Sequence, residues 1–405
     1  MRVIVSMLMT VLFIRSVSSP LSAMQQESIT GKDMSKEELI LGIKELPHEL
    51  KQYIVFLVLH HSLGFNFVLY KTLDLSEEVP HSLALSSDGE TIFTNFTKAA
   101  SVWNLKTGKL LRTFKSPTTT FQRHRMYGIS SGVVSSEGNV CFIGLQEAIA
   151  CVWNTTTGEI LTTISGHTGP VDSVALSLDG ERCLTGSRDT TACVWNAKTG
   201  ELVTEFKQHQ LPIGSVAFSP EGESCLTGSD DKAAYIWNAK TGELQTEFKQ
   251  HTGAVLSVAF SPDGETCITG SADMTACLWS AKTGKLLKIL KRHTKPLLSV
   301  AFCLQGKNCF TGAMEGTVCM WDSKTGDLLK VFQEHSLIRS LTFSLNGKYI
   351  ITGLWDKKVC IWKRGYTASY CSTQEEKEIV YRLFIGFYPI LERVENVSAD
   401  RSGSA

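Results

Sequence analysis

The segment GSRDTTACVWNAKTGEL at residues 186–202 brings together residue types that could do chemistry. Arg188, Asp189, Cys193 and Trp195 lie within a few positions of one another. A carboxylate close to hydroxyl and thiol groups is a combination that can activate a nucleophile. Related segments begin 42 and 84 residues later, however, as GSDDKAAYIWNAKTGEL and GSADMTACLWSAKTGKL. The period of this repetition therefore has to be established before any catalytic role is considered.

Two independent series of residues define the repeat. Seven tryptophans follow one another at spacings of 50, 42, 42, 42, 42 and 41 residues, namely Trp103, Trp153, Trp195, Trp237, Trp279, Trp321 and Trp362. Seven glycines in turns of the type SPDGE keep the same phase, namely Gly89, Gly138, Gly180, Gly222, Gly264, Gly306 and Gly347. Two series with one period predict seven structural units.

Each unit has the pattern of four short strands. In the third unit VDSVALS, ERCLTGS, TACVWN and ELVTEF alternate with period two and are rich in β-branched residues. The segments between them contain Asp, Gly and small polar residues, which are typical of tight turns. Four strands in about 42 residues indicate one blade, so we predict an all-β chain whose residues 65–365 form a seven-bladed propeller.

The units resemble WD repeats from about residue 65 to residue 363. The resemblance rests on Gly166-His167 at the start of a unit, on Asp189, on Trp195-Asn196 and on Trp321-Asp322. In that family the first strand of the chain completes the last blade. The seventh unit here lacks a fourth strand after Trp362, and NFVLYKTLDL at 66–75 precedes the first unit. The resemblance therefore implies a ring closed by pairing of the N- and C-terminal strands.

The resemblance also assigns the recurring polar residues to a hydrogen-bonded set inside each blade. The implied sets are His167, Thr185, Asp189 and Trp195; His209, Thr227, Asp231 and Trp237; His251, Thr269, Asp273 and Trp279; His335, Thr352, Asp356 and Trp362. The sixth unit has Glu315 in place of the aspartate. An enzyme needs one triad and not five, so we interpret the sets as structural. We predict no catalytic residues, no cofactor and, without Cys/His spacing of a metal site, no metal.

Residues outside the hydrogen-bonded sets predict where a partner binds. The resemblance implies a loop-rich face, where the loops entering each first strand meet the turns between second and third strands. Blades three and four place polar side chains there, whereas blades five to seven place apolar ones and a tryptophan outside the repeat series. We predict that this face binds a protein or peptide, the alternative being that loops cover it. The predicted contact residues are Asp172, Arg188, Asp230, Leu256, Leu298, Met314, Arg339 and Trp355.

Charge and the N-terminal sequence bear on partners and location. The 405 residues contain 40 Lys plus Arg and 40 Asp plus Glu, which argues against nucleic acid as a partner. Residues 1–23 have the pattern of a secretory signal peptide with an apolar run too short to span a bilayer. We therefore predict an exported, monomeric propeller without stable membrane insertion. The alternative is membrane association through an uncleaved N-terminal helix.

The segments flanking the propeller are predicted to be helical. In residues 24–64, LPHELKQYI at 46–54 resembles the opening of an F-box, which would make the chain a substrate receptor of a ubiquitin ligase. That alternative function is compatible with export for an effector that acts in a host cell. Residues 366–405 are predicted to form an amphipathic helix and a disordered tail.

Overall fold

A computed structural model describes residues 65–75, 79–86, 89–96, 99–115, 129–135, 138–303, 306–344 and 349–366 of the chain. The predicted signal peptide, the F-box-like segment and the C-terminal helix lie outside these residues, so they stay predictions. By their contacts, residues 67–364 form one compact unit. The described part contains no helix that is long and apolar enough to cross a membrane.

Seven four-stranded antiparallel sheets make up the fold, and each corresponds to one predicted unit. Blade one consists of β2 (Ser82–Leu85), β3 (Thr91–Asn95), β4 (Ala99–Asn104) and β5 (Leu110–Lys115). Blade two consists of β6 (Ile129–Val134), β7 (Val140–Leu145), β8 (Ile149–Asn154) and β9 (Ile160–Ser165). Blade three consists of β10 (Val171–Leu176), β11 (Arg182–Ser187), β12 (Ala192–Asn196) and β13 (Leu202–Phe206). Blade four consists of β14 (Ile213–Phe218), β15 (Ser224–Ser229), β16 (Ala234–Asn238) and β17 (Leu244–Phe248).

The other three blades continue the same order. Blade five consists of β18 (Val255–Phe260), β19 (Thr266–Ser271), β20 (Thr275–Ser280) and β21 (Leu286–Lys291). Blade six consists of β22 (Leu297–Phe302), β23 (Asn308–Ala313), β24 (Thr317–Asp322) and β25 (Leu328–Gln333). Blade seven takes β26 (Ile338–Phe343), β27 (Tyr349–Leu354) and β28 (Lys358–Tyr366) from the end of the sequence and β1 (Phe65–Asp74) from its beginning.

The pairing of β1 with β28 closes the ring. β1 occupies the outer position of blade seven, and the N–H of Leu75 beyond its end donates to the carbonyl of Lys357 at 2.9 Å. The predicted propeller, its seven blades and this mode of closure are confirmed. Without β1, β28 would be the open edge of a three-stranded sheet, and covering such an edge is one way in which β proteins avoid aggregation.

The hydrophobic core lies between neighbouring blades. Residues of the second and third strands are buried on both faces because each blade is packed between two others, as Leu184 and Val194 of blade three show against Val216 and Trp237 of blade four. The same arrangement explains why the second strand of blade three contains a glycine. A Cβ atom on Gly186 would lie 2.7 Å from Cγ1 of Val216, so the blades approach too closely for any larger residue.

A serine on every first strand links each blade to the next. In six of the seven interfaces its hydroxyl accepts a hydrogen bond from a backbone N–H of the following blade, for example Ser173 from Val216 at 3.1 Å. At the interface from blade one to blade two, Ser82 Oγ instead donates to the carbonyl of Gly132 at 3.2 Å. The serines are Ser82, Ser131, Ser173, Ser215, Ser257, Ser299 and Ser340.

Candidate functional site

Blades three, four and five each contain the predicted set of four polar residues in one hydrogen-bonded chain. In blade three His167 Nδ1 lies 2.9 Å from Asp189 Oδ2, and its Nε2 lies 2.7 Å from Thr185 Oγ1. The indole N–H of Trp195 donates to the same Thr185 hydroxyl at 2.8 Å. The sets around His209 and His251 repeat this geometry within 0.2 Å. The hydroxyl is thus engaged on both sides, which leaves it unsuited to act as a nucleophile.

The protonation states of these sets follow from their surroundings. For Asp189 burial favours the neutral acid, but hydrogen bonds from Thr191 and Thr168 outweigh burial and lower its pKa to about 2. Burial lowers the pKa of His209, although Asp231 opposes the shift. A neutral His209 that donates from Nδ1 to Asp231 and accepts at Nε2 from Thr227 satisfies both ring nitrogens.

Blade six keeps the arrangement with a longer carboxylate. Glu315 Oε1 lies 2.5 Å from His293 Nδ1, and Thr311 accepts from Trp321 at 2.9 Å while contacting His293 Nε2 at 2.7 Å. Burial raises the pKa of Glu315, but hydrogen bonds from Thr317 and His293 outweigh it and the net shift is downward. A glutamate therefore serves in this position as the aspartate does elsewhere.

The predicted set of blade seven is wrong in two of its four residues. Glu334, and not His335, is buried against the set, where its Oε1 accepts from Thr352 at 2.9 Å and from Trp362 at 3.0 Å. His335 is exposed. In blades three to six the histidine precedes the threonine by 18 residues, and Glu334 is the residue 18 before Thr352.

Asp356 also lies outside the blade-seven set. It is exposed, its Oδ2 lies 3.4 Å from Lys358 Nζ, and its backbone N–H donates to Ser336 Oγ at 3.1 Å. The buried glutamate therefore replaces both the histidine and the aspartate of the other blades.

Blades one and two lack complete sets. In blade one Trp103 donates to Thr94 at 2.8 Å without a histidine. In blade two Ile143 pairs with Cys151 as Thr185 pairs with Cys193 in blade three, so no hydroxyl faces the tryptophan. The buried N–H of Trp153 finds no oxygen acceptor among the described residues and has only the weakly accepting Cys151 thiol beside it.

β-Bulges position the first group of predicted contact residues. In blades two to seven the pairing of the first and second strands shifts by one residue near the start of the first strand. The extra residue of such a bulge is re-aimed away from the ladder. It is Asp172 in blade three, Leu256 in blade five, Leu298 in blade six and Arg339 in blade seven.

A backbone hydrogen bond holds the second group beside the first. The N–H of Arg188 donates to the carbonyl of Pro170, which lies two residues before Asp172, at 2.9 Å. Asp230, Met314 and Trp355 make the equivalent bond to Pro212, Pro296 and Leu337. The first strands of neighbouring blades contact one another and form the inner wall of the ring. The predicted contact residues therefore share one end of the propeller and surround its axis.

The blade-three and blade-four sector of this face is a polar network. Arg188 Nε donates to Asp172 Oδ2 at 2.7 Å, and Gln146 Nε2 donates to Asp172 Oδ1 at 3.3 Å. Asp230 is exposed, and its pKa is raised by partial burial and by the charge of Asp172, while Arg188 opposes the shift. This sector carries a carboxylate that has no ion pair among the described residues.

The blade-five to blade-seven sector exposes apolar side chains. Trp355 is 54% exposed and Met314 is 42% exposed, whereas Leu256 and Leu298 are half-buried at their bulges. Met274 is 43% exposed as well and was not among the predicted residues. The equivalent turn position holds Thr190, Lys232 and Lys357 in blades three, four and seven. An alignment of the repeats would therefore have shown an apolar side chain at a position that is polar in these blades.

Comparison with known proteins agrees with the repeats found in the sequence and in the structure. A search of the curated proteins returned no match. The family model described as WD domain, G-beta repeat matches residues 158–196, 200–238, 242–280, 284–322 and 326–363. These five matches cover the units whose tryptophans are Trp195, Trp237, Trp279, Trp321 and Trp362. Through these repeats the chain belongs to the WD40-repeat family, whose fold serves most often as a scaffold for protein interactions.

Proposed function

We propose that this chain is a non-catalytic interaction module that binds a protein or peptide on its loop-rich face. Trp355 is the observation that carries the proposal. It is the only tryptophan outside the repeat series, it is more than half exposed, and no blade needs it for its hydrogen-bonded set. A large aromatic side chain kept at the surface is the residue type that contributes most to binding energy in protein interfaces.

The surroundings of Trp355 support a binding role. Its backbone is fixed by the bond to Leu337, so little conformational freedom remains to be lost on binding. Met314 and the half-buried Leu298 of blade six add apolar surface on one side. Polar groups of blades three and four supply the rim that interfaces place around such a centre. Function on a propeller has to come from such a site and not from the fold itself.

The test is retention of co-purifying proteins by the full chain and by two variants. Trp355→Ala should lose the main partner, since truncating an aromatic anchor costs about 2 kcal/mol or more, which corresponds to about 30-fold in affinity. Leu161→Ala is the matched control, because Leu161 is 53% exposed on β9, an outer strand. A partner that both variants retain equally would show that binding does not use this face.

A further inference from the structure

Arg339 is a half-buried cation at the centre of the loop-rich face. The bulge in β26 directs it there, its Nη2 donates to His81 Nδ1 at 3.3 Å, and its guanidinium carbon lies 5.9 Å from the centre of the Trp355 ring. Among the described residues no carboxylate lies within ion-pair distance of it. Burial lowers the pKa of Arg339, and the charge of Asp172 opposes the shift without forming a contact.

The other predicted arginine of this face has a paired anion. Arg188 is more exposed than Arg339, yet it forms a 2.7 Å ion pair with Asp172. Partial removal of a guanidinium from water without a paired anion is unfavourable, and neither a neutral imidazole nor an aromatic ring replaces a carboxylate. The less solvated of the two arginines therefore lacks the anion that would balance it.

The distribution of charge across the face gives a ligand an orientation. Blade seven presents Arg339, whereas blades three and four present Asp230 and the paired Asp172. Between them blades five and six present Leu256, Leu298 and Met314. A bound segment thus meets one positive end, one negative end and an apolar middle.

We propose that Arg339 receives an anionic side chain of an extended peptide, with an apolar neighbour of that side chain resting on Trp355. The anion is a carboxylate or a phosphate, since the planar guanidinium donates to both in the same way. This inference rests on the proposed function and specifies the chemistry of its ligand. Trp355 then supplies contact area, and Arg339 supplies selectivity.

The experiment uses peptide libraries and the purified full chain. Nine-residue peptides carry a fixed central Glu, phosphoserine, Gln or Lys with random residues elsewhere, and retention on the immobilised protein is measured. The Glu or the phosphoserine library should be retained about tenfold better than the Gln library, as for one hydrogen bond to a charged group. Which of the two is retained better identifies carboxylate or phosphate as the anion.

Two variants decide whether Arg339 is responsible. Arg339→Gln should reduce retention of the anionic library to that of the Gln library, whereas Arg188→Gln should preserve the preference. Arg339→Gln should also be at least as stable to heat as the wild type, because it removes a charge that has no ion pair. A large loss of thermal stability would mean that Arg339 is a structural residue, and the inference would be wrong.

The remaining outcomes separate this inference from the proposed function. Equal retention of the Glu and Gln libraries, with both lost in Trp355→Ala, would overturn the anion site and leave the binding face intact. Failure to retain any library, or retention that Trp355→Ala does not change, would overturn both. A preference for the Lys library would reverse the charge selectivity and contradict the role given to Arg339.

Discussion

A one-residue offset decides the chemistry of blade seven. Glu334 and His335 are adjacent, and a histidine is the residue expected from the other blades, yet only Glu334 has the 18-residue spacing to the threonine. The outcome is a buried carboxylate where the other complete sets hold an imidazole. Burial raises the pKa of Glu334, while hydrogen bonds from Thr352, Cys360 and Trp362 oppose the shift.

The two set glutamates should respond to neutralisation with opposite signs. The folded pKa of Glu334 lies above its unfolded value, so its contribution is fully present below the unfolded pKa and is lost as pH rises through the folded pKa. Glu334→Gln should therefore raise the free energy of unfolding at pH 8 and make little difference at pH 4. The measurement is urea unfolding of wild type and variant at both pH values.

Glu315 is the matched control for this experiment. Its folded pKa is lowered, so its contribution is present above the unfolded pKa and is lost as pH falls through the folded pKa. Glu315→Gln should reduce stability at pH 8, and the reduction should shrink toward acid pH. Variants that shift stability in the same direction would contradict the assignment of Glu334 to the blade-seven set.

The threonine at the centre of a set should be the residue least tolerant of an apolar replacement. Thr227→Val leaves the N–H of Trp237 and Nε2 of His209 buried without their partner, at a cost of about 2–4 kcal/mol in the free energy of unfolding. Thr227→Ser keeps the hydroxyl and should cost less than half as much. Equal losses for the two variants in urea unfolding would show that the methyl group, and not the hydroxyl, is what matters.

Elements of the same kind place very different side chains on the loop-rich face. The bulge recurs in blades two to seven, so the backbone repeats there while the residue that it directs onto the face varies. The turn position after Asp273 adopts a positive φ of 69° in Met274, whereas the equivalent Gly316 of blade six has a φ of 81°. The left-handed region is unfavourable for side chains other than glycine, and methionine is not among the residues that tolerate it best.

Replacing Met274 should separate stability from binding. Met274→Gly relieves the left-handed strain and should raise the free energy of unfolding by about 0.5–1 kcal/mol, since the flexibility of glycine in the unfolded chain offsets part of the gain. If Met274 belongs to the binding surface, the same variant should retain less partner in the co-purification experiment. Ala148→Gly, at a φ of 64° in blade two, is the control that should gain stability without losing partner.

The residues of the loop-rich face could be predicted from sequence where their position within the repeat was enough to place them. Asp172, Arg188 and Trp355 could be placed because the repeat fixes which residues begin a first strand or precede a turn. The ion pair between Asp172 and Arg188 could not, because it depends on the bulge at Asp172. The approach of Arg339 to His81 could not either, because residues 258 positions apart, in blades seven and one, meet only when the ring closes. Met274 escaped notice because a methionine at positive φ breaks the local rule for turns.

At the scale of the whole molecule the blades are unequally supported. Blades three to six hold complete polar sets, whereas blade two has none and blade one retains only the contact between Trp103 and Thr94. Repeat proteins derive stability from each unit and from its interfaces, so a ring with weak units should open there first.

Hydrogen exchange should reveal this inequality. Amides of β7 and β8 in blade two should exchange at least about tenfold faster than those of β15 and β16 in blade four, which corresponds to about 1.4 kcal/mol in opening free energy. Peptides from both blades can be followed in one mass-spectrometric experiment on the full chain. Uniform protection around the ring would show that closure makes the seven blades unfold as one unit.

The number of blades and the mode of closure were predictable because both are written in the repeat itself. The serine links between blades were not recognised, although all seven serines are visible in the sequence. Their partners lie in the following unit, 42 to 43 residues away for most of them, and only the curved arrangement of blades shows that a hydroxyl and an N–H meet. Contacts within a unit are thus easier to foresee than contacts between units.

The interface between blades one and two is packed differently from the other six. Asn95, which is 1% exposed, replaces the second-strand glycine of blade one, and Gly132 of blade two replaces the branched residue opposite it. At any other interface Asn95 would collide with a valine, isoleucine or leucine, and Gly132 would leave a void. The other six interfaces each set a glycine against a branched side chain, whereas this pair fits only its own interface, so it favours docking of blade one on blade two over docking on any other blade.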